Sequence, residues 1–167
     1  MLPLVFDPVH LKAGLAGRGE ARDRRAVLLA GAGVEAQLLP DDVPDAVLSG
    51  LQLLFVAGMG ESEARVLASR ARAAGVLVNV EDVLPLCDFH VPAIVRRGGL
   101  LLTASTGGQV PGLARALREK LAEQFGPEWS ARLKELGQAR ARWRAEGLSP
   151  TQVSHRVRAL IDQLGWL

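Results

Sequence analysis

Two polar segments, each placed directly after an apolar run, carry the side chains best suited to chemistry: residues 79–82 (Asn-Val-Glu-Asp) and residues 105–108 (Ser-Thr-Gly-Gly). Strand ends in open parallel sheets line the ligand crevice, so we expect the two segments to face one bound molecule. Asp82 could then accept a proton or hold a cation, and the second segment could bind a carboxylate or phosphate through its amides. A loop or capping acid at Asp82 and a glycine-rich connector at 105–108 are the alternative interpretations.

A third segment, Gly17-Arg18-Gly19-Glu20, lies between a predicted strand and a predicted helix. It matches part of the G-x-G-x-x-G turn in which backbone amides approach a pyrophosphate. Arg22 stands where the third small residue is usual, and Asp41 lies at about the spacing of an acid that binds the ribose. The pattern fits dinucleotide binding and a plain tight turn equally well.

Composition restricts the class of protein. The chain has 167 residues, 49% hydrophobic and 23% charged, which suits one compact domain or a domain with a short appendage. One cysteine excludes an internal disulfide, and three histidines argue against a closed zinc site. The net charge of +2 is too small to indicate nucleic-acid binding, and no apolar run reaches membrane length. The first residues do not match a secretory signal, so we expect a cytoplasmic location.

The elements that must position these segments alternate between strand and helix up to about residue 111. A helix is predicted over Glu61–Ala74, and only helical patterns follow Gly112. The predicted strands are residues 11–16, 34–39, 51–57, 77–80 and 99–104. Short apolar runs that alternate with helices predict an α/β fold with a parallel sheet.

A set of longer matches covers the middle of the chain. The matching segments are Val78–Asp82, Leu86–Phe89, Pro92–Val95, Arg97–Gly98, Leu100–Gly108, Pro111 and Leu113–Lys120. In this order they closely resemble the siroheme synthase N-terminal family. The resemblance is strong over about residues 76–121 and looser, but collinear, from Leu2 onward.

Members of that family are precorrin-2 dehydrogenases, and several are also sirohydrochlorin ferrochelatases. The resemblance implies a Rossmann-like NAD-binding domain at residues 1–82, a dimerisation and active-site segment at 83–112 and a small helical domain at 113–167. It implies a homodimer, NAD as the cofactor, precorrin-2 and sirohydrochlorin as tetrapyrrole ligands and Fe²⁺ as a transient partner. No nucleic-acid or membrane partner is expected.

The resemblance also implies roles for individual residues. Asp82 corresponds to the family aspartate that abstracts a proton, and it could hold Fe²⁺ transiently, with no permanent metal ligand expected. The candidate cofactor-binding residues come from the partial glycine motif and are Gly17, Arg18, Gly19, Glu20 and Asp41. The implied substrate-binding residues are Asn79, Ser105, Thr106, Gly107, Gly108, Arg97 and Arg115.

The nucleotide side departs from the family pattern and leaves other functions open. Arg18 and Arg22 replace small residues, the segment 39–51 is short, and residues 58–61 (Gly-Met-Gly-Glu) replace a Thr-Asp-Asp-like turn. These departures favour an alternative, a non-catalytic or chelatase-only tetrapyrrole-binding dimer that has lost NAD binding. A nucleotide-binding oxidoreductase of other specificity is the third interpretation.

Overall fold

The computed structural model describes residues 2–167, which fall into two compact units, one ending at Val91 and the other beginning at Pro92. The first unit holds a four-stranded sheet in the order β2-β1-β3-β4, with every neighbouring pair parallel. The strands are β1 (Ala13–Gly17), β2 (Gln37–Leu38), β3 (Leu53–Ala57) and β4 (Leu77–Val80). All residues of β1 and β3 are buried, as expected of central strands covered on both faces.

Three helices connect these strands: α1 (Gly19–Ala30), α2 (Asp45–Leu48) and α3 (Glu61–Ala73). The buried residues of α3 are Ala64, Leu67, Ala68 and Ala71, the spacing of one helical face. Gly75 follows α3 with a φ of 80°, which ends the helix and turns the chain into β4. The connection from β2 to β3 holds only the four-residue α2, in keeping with the short segment between residues 39 and 51.

Alternate side chains of β3 pack into two different cores. Leu54 and Val56 join the cluster that contains the buried face of α3, whereas Leu53 and Phe55 join the cluster that contains Leu29 of α1. Because successive strand residues point to opposite faces, helices cover both sides of the sheet. The predicted α/β, Rossmann-like fold class is therefore confirmed for the first unit.

The second unit combines one hairpin with three helices. β5 (Ala93–Arg97) and β6 (Leu100–Ala104) pair antiparallel, and α4 (Pro111–Gln124), α5 (Trp129–Ala145) and α6 (Pro150–Leu164) follow. A capping box starts α6, since Ser149 Oγ accepts from Gln152 N and Gln152 Oε1 accepts from Ser149 N. None of the helices in residues 2–167 is long and apolar enough to span a membrane.

Two strand predictions need correction. The strand predicted at 99–104 was counted among the strands of the parallel sheet, but β6 pairs only with β5, in a separate sheet. The physical reason is the tight turn at Gly98, whose φ of 58° reverses the chain so that β6 pairs with β5. The sequence pattern did not predict β5, which begins directly after Pro92. The strand predicted at 34–39 shortens to the exposed pair of residues in β2 at the sheet edge.

Candidate functional site

The glycine turn after β1 is locked against the turn after β3. Arg18 N donates to Ala57 O at 3.2 Å. A Cβ at Gly17 would collide with the Ala57 carbonyl oxygen, and a Cβ at Gly58 would collide with the Arg18 carbonyl oxygen. Both glycines have positive φ, 116° and 72°. The chain leaves β1 toward β2 on one side and continues to β3 on the other, so these turns meet where nucleotides bind in open α/β sheets.

The start of α1 leaves space and free backbone amides for a phosphate group. No side chain caps this helix, and a Cβ at Gly19 would meet nothing within 4 Å, so the backbone is open to an approaching pyrophosphate. Ala21 supplies the small residue for close packing, since its Cβ would lie 3.5 Å from a Cβ at Gly58. Arg22 instead bonds Asp23 at 2.9 Å. The residues present therefore fit NAD despite the incomplete glycine motif.

The side chain of Arg18 bridges two carboxylates from different elements. Its guanidinium donates to both oxygens of Glu63, at 2.6 and 3.3 Å, and lies 3.5 Å from Asp41. The hydrogen bond to Glu63, followed by the negative charges of Glu63 and Asp41, raises the pKa of Arg18 above its ordinary value. The expected ribose acid, Asp41, is thus brought to the glycine turn through Arg18.

Asp82 stands two residues past the end of β4 with a φ of 62°, the only positive φ at a non-glycine position in residues 2–167. It is exposed, and no hydrogen bond or ion pair to its carboxylate forms within the described chain. The neighbouring Glu81 differs, because it pairs with the largely buried Arg25 at 3.6 Å and its backbone N–H donates to Val56 O. Of the two adjacent acids, Asp82 is the exposed one whose carboxylate has no partner among residues 2–167.

The loop that carries Asp82 is held in place by the thiol of Cys87 and the side-chain amide of Asn79. Cys87 Sγ lies 3.1 Å from Val80 O and accepts from Val80 N at 3.3 Å, so it ties the end of the loop to its beginning. Asn79 is buried, and its amide donates to Phe89 O at 2.9 Å. The buried amide of Asn79 thus holds the backbone at Phe89 and helps to fix the loop around Asp82.

A second set of polar contacts joins this loop to α3. The carboxylate of Asp88 accepts from Val78 N at 2.9 Å and pairs with Arg72 at 3.0 Å, while Arg72 also donates to Leu86 O. Sequence reasoning missed these supports and the partner role of Glu63. Asp88 follows Cys87 inside the segment that carried the family resemblance, which was the available signal.

The Ser-Thr-Gly-Gly turn lies in the second unit, between β6 and α4. Ser105 Oγ accepts from Gly107 N at 3.2 Å, and Thr106 Oγ1 accepts from Val110 N at 3.1 Å. Gly107 and Gly108 have φ of 63° and 78°, a conformation that disfavours other residues. The Thr106 hydroxyl retains its own O–H, which can donate to an anionic group.

The two arginines expected near this turn lie at different ends of α4. Arg115 lies one turn from its start and pairs with Glu119 at 2.9 Å, a contact that lowers the pKa of Glu119. Arg97 donates to Phe125 O and Ala122 O at the other end. A helix of fourteen residues is about 20 Å long, so the structure does not bring Arg97 to the turn.

The predicted site residues thus form three groups. Gly17, Arg18, Gly19 and Glu20 form the turn after β1, and Arg18 pairs with Asp41; we call this candidate group the nucleotide crevice. Asn79 and Asp82 lie at the carboxyl end of β4, on the same edge of the sheet. Ser105–Gly108, Arg115 and Arg97 belong to the second unit, with Arg97 at the far end of α4 from the others. No group of three or more His, Cys, Asp or Glu residues within 2–167 is arranged to hold a metal ion.

Comparison with known proteins identifies the family and the fold of this chain. Residues 16–93 match a family model described as "Putative NAD(P)-binding". The chain is 32% identical over 155 residues to the siroheme synthase of Chromobacterium violaceum, covering 81% of this chain and 33% of the relative. It is 33% identical over 176 residues to that of Pseudomonas aeruginosa, covering 93% of this chain and 37% of the relative. The chain therefore spans about a third of the length of these relatives.

The fold is also found in a solved structure, that of SirC, a precorrin-2 dehydrogenase. The TM-score is 0.72 at 17% sequence identity, and the match covers 96% of this chain and 89% of the other. The family match confirms the predicted nicotinamide cofactor at the level of NAD(P). The chain belongs to the siroheme synthase N-terminal domain family.

Proposed function

We propose that this chain is an NAD-dependent precorrin-2 dehydrogenase in siroheme biosynthesis, with Asp82 as the catalytic base. The observation that carries the proposal is the exposed, unpaired Asp82 carboxylate at the edge of the sheet that also carries the nucleotide crevice. Siroheme synthases and a precorrin-2 dehydrogenase are among the proteins that this chain resembles.

The reaction converts precorrin-2 to sirohydrochlorin by removing one hydride and one proton. NAD⁺, when bound, supplies the hydride acceptor. The carboxylate of Asp82 takes the proton, and since no cation within the described chain pairs with it, its charge is available for that task. The bonds of Cys87 and Asp88 hold the loop, so the carboxylate needs little reorganisation to act.

The second unit supplies groups suited to the acidic side chains of the tetrapyrrole. The Thr106 hydroxyl and the amide of Gly108 can donate to a carboxylate, and Arg115 adds a positive charge near the same end of α4. Arg97 is engaged with the helix carbonyls and supports the unit instead. In this proposal residues 105–108 bind the acetate and propionate groups of the tetrapyrrole.

Three further features belong to the same proposal. The chain acts in the cytoplasm as a homodimer in which residues 83–112 contribute to dimerisation and to the active site. Val110, near the end of that segment, is exposed, and the exposed Leu113 and Leu117 of α4 extend the apolar surface proposed for dimerisation. In a ferrochelatase reaction, Fe²⁺ is the substrate and two pyrrole N–H protons leave as it enters, and Asp82 serves either as a transient ligand of Fe²⁺ or as the acceptor of one of these protons.

The test is the variant Asp82→Asn in an anaerobic assay with precorrin-2 and NAD⁺, followed optically. Asparagine tolerates positive φ, so the fold is kept while the base is removed. We expect turnover to fall by about 100-fold or more. Asp23→Asn, an exposed acid on α1, is the matched control and should retain turnover. Full turnover in Asp82→Asn would refute the role of Asp82.

A second candidate function is tetrapyrrole binding or chelation without dehydrogenation. The observation that favours it is the bridge from Arg18 to Glu63 and Asp41, which stands at the nucleotide crevice. Separate titrations with NAD⁺ and sirohydrochlorin discriminate between the candidates. Tight binding of the macrocycle without measurable NAD⁺ binding supports the second, whereas NADH production from precorrin-2 removes it.

A further inference from the structure

We propose that Arg18 exchanges partners when a dinucleotide binds: its guanidinium leaves the carboxylates of Glu63 and Asp41 and pairs with the pyrophosphate. The inference rests on the proposed function, because it concerns the same nucleotide site. It makes Arg18 a residue that sets cofactor affinity, and it makes Glu63 the group that competes with the cofactor for Arg18.

The position of Arg18 in the turn supports this exchange. Arg18 lies between Gly17 and Gly19, and the open backbone at Gly19 is where a pyrophosphate can approach. A long side chain at that position reaches the same region as the phosphate oxygens. Arginine binds phosphate with two parallel N–H donors, the same geometry that it now uses with Glu63.

The present partners of Arg18 are easily released. The side chains of Arg18, Glu63 and Asp41 are 51%, 38% and 70% exposed, so water can replace the guanidinium at both carboxylates. Exposed ion pairs of this kind contribute little to stability. Glu63 makes two hydrogen bonds to Arg18 and Asp41 approaches at 3.5 Å, so Glu63 is the principal competitor.

The charges around the crevice explain why an arginine is useful there. Glu63 and Asp41 would repel a pyrophosphate, and Arg18 offsets that repulsion. The same residue therefore compensates the carboxylates in the free chain and the phosphates in the bound chain. This role differs from simple obstruction, in which removing Arg18 would improve binding.

The test measures equilibrium binding of NAD⁺ and NADP⁺ by calorimetry with the full chain and no tetrapyrrole. We expect Glu63→Gln to tighten NAD⁺ binding about two- to fivefold, the range of an exposed ion pair, and Arg18→Gln to weaken it. Glu61→Gln is the matched control, because Glu61 lies in the same first turn of α3 but pairs with Arg65. It removes the same charge without freeing Arg18.

The double variant Arg18→Gln/Glu63→Gln decides between the two mechanisms. If Arg18 mediates the effect, Glu63→Gln in the Arg18→Gln background improves affinity no more than Glu61→Gln does. Tighter NAD⁺ binding in Arg18→Gln, or equal gains from Glu61→Gln and Glu63→Gln, would overturn the proposal. A gain confined to NADP⁺ would overturn the pyrophosphate assignment. Because the assay contains no precorrin-2, these outcomes are independent of the test of Asp82.

Discussion

At the scale of single residues, Asp82 combines backbone strain with an unpaired charge. A non-glycine residue with a φ of 62° occupies a region that costs free energy, although aspartate tolerates it better than most. The neighbouring contacts of Cys87 and Asp88 hold the loop in that conformation. Strain that the surroundings enforce on one reactive side chain is typical of a functional site.

This strain gives a prediction that separates stability from activity. We expect the unfolding free energy of Asp82→Ala to be about 1 kcal/mol lower than that of Asp82→Gly, because glycine adopts a positive φ without the penalty from Cβ. Both variants lack the carboxylate, so both should lose dehydrogenase turnover. Urea denaturation and the anaerobic assay measure the two quantities. Equal stability of the two variants would contradict the strain argument.

How far the sequence predicts such a site depends on what each residue contacts. Asp82 and the glycine turn could be identified because their residue types follow predicted strands. The Arg18–Glu63 bridge could not, since it joins residues 45 positions apart and needs the register of β1 and β3. The same limit hid the role of Arg97, whose partners lie 25 and 28 residues further along the chain.

At the scale of elements, the turns after β1 and β3 pack directly against each other. Their backbones approach so closely that Gly17 and Gly58 have no room for a side chain. The fully apolar β3 and the periodic α3 could be predicted because burial on both faces or on one face leaves a local pattern. The pairing of β6 could not, because strand partners depend on the intervening turn at Gly98.

The close approach of the two turns gives the second prediction. Gly58→Ala would push a Cβ into the Arg18 carbonyl and impose a φ of 72° on alanine, so we expect a loss of about 2 kcal/mol or more in unfolding free energy. NAD⁺ binding should weaken with it, because the pyrophosphate turn moves. Thermal denaturation and calorimetry check both effects.

Gly60→Ser is the control in the same segment. A Cβ at Gly60 would meet nothing within 4 Å, its φ is −64°, and serine is a favourable residue at the N-cap of α3. This variant should be as stable as the parent. A Gly58→Ala protein as stable as Gly60→Ser would show that the two turns are not packed as described.

At the scale of the whole molecule, the two units differ in how much apolar surface they bury by themselves. Of the buried apolar side chains in residues 2–167, twenty precede Pro92 and five follow it. α4 has no buried residue, although Leu113, Leu117 and Leu121 recur at helical spacing. A helix with an apolar stripe gains most of its stability by covering that stripe, so the second unit is the part that benefits from a partner.

The proposed homodimer therefore gives a prediction for the second unit. Leu117, 44% exposed on α4, is part of the proposed contact, and Leu117→Glu places a charge in it. We expect this variant to sediment as a monomer and to lose precorrin-2 turnover. It should keep NAD⁺ binding, because the nucleotide residues all lie in the first unit. Val66→Glu on α3, where Val66 is 62% exposed, is the matched control and should remain dimeric. A parent chain that sediments as a monomer at micromolar concentration, or a dimeric Leu117→Glu variant, would contradict an interface built on α4.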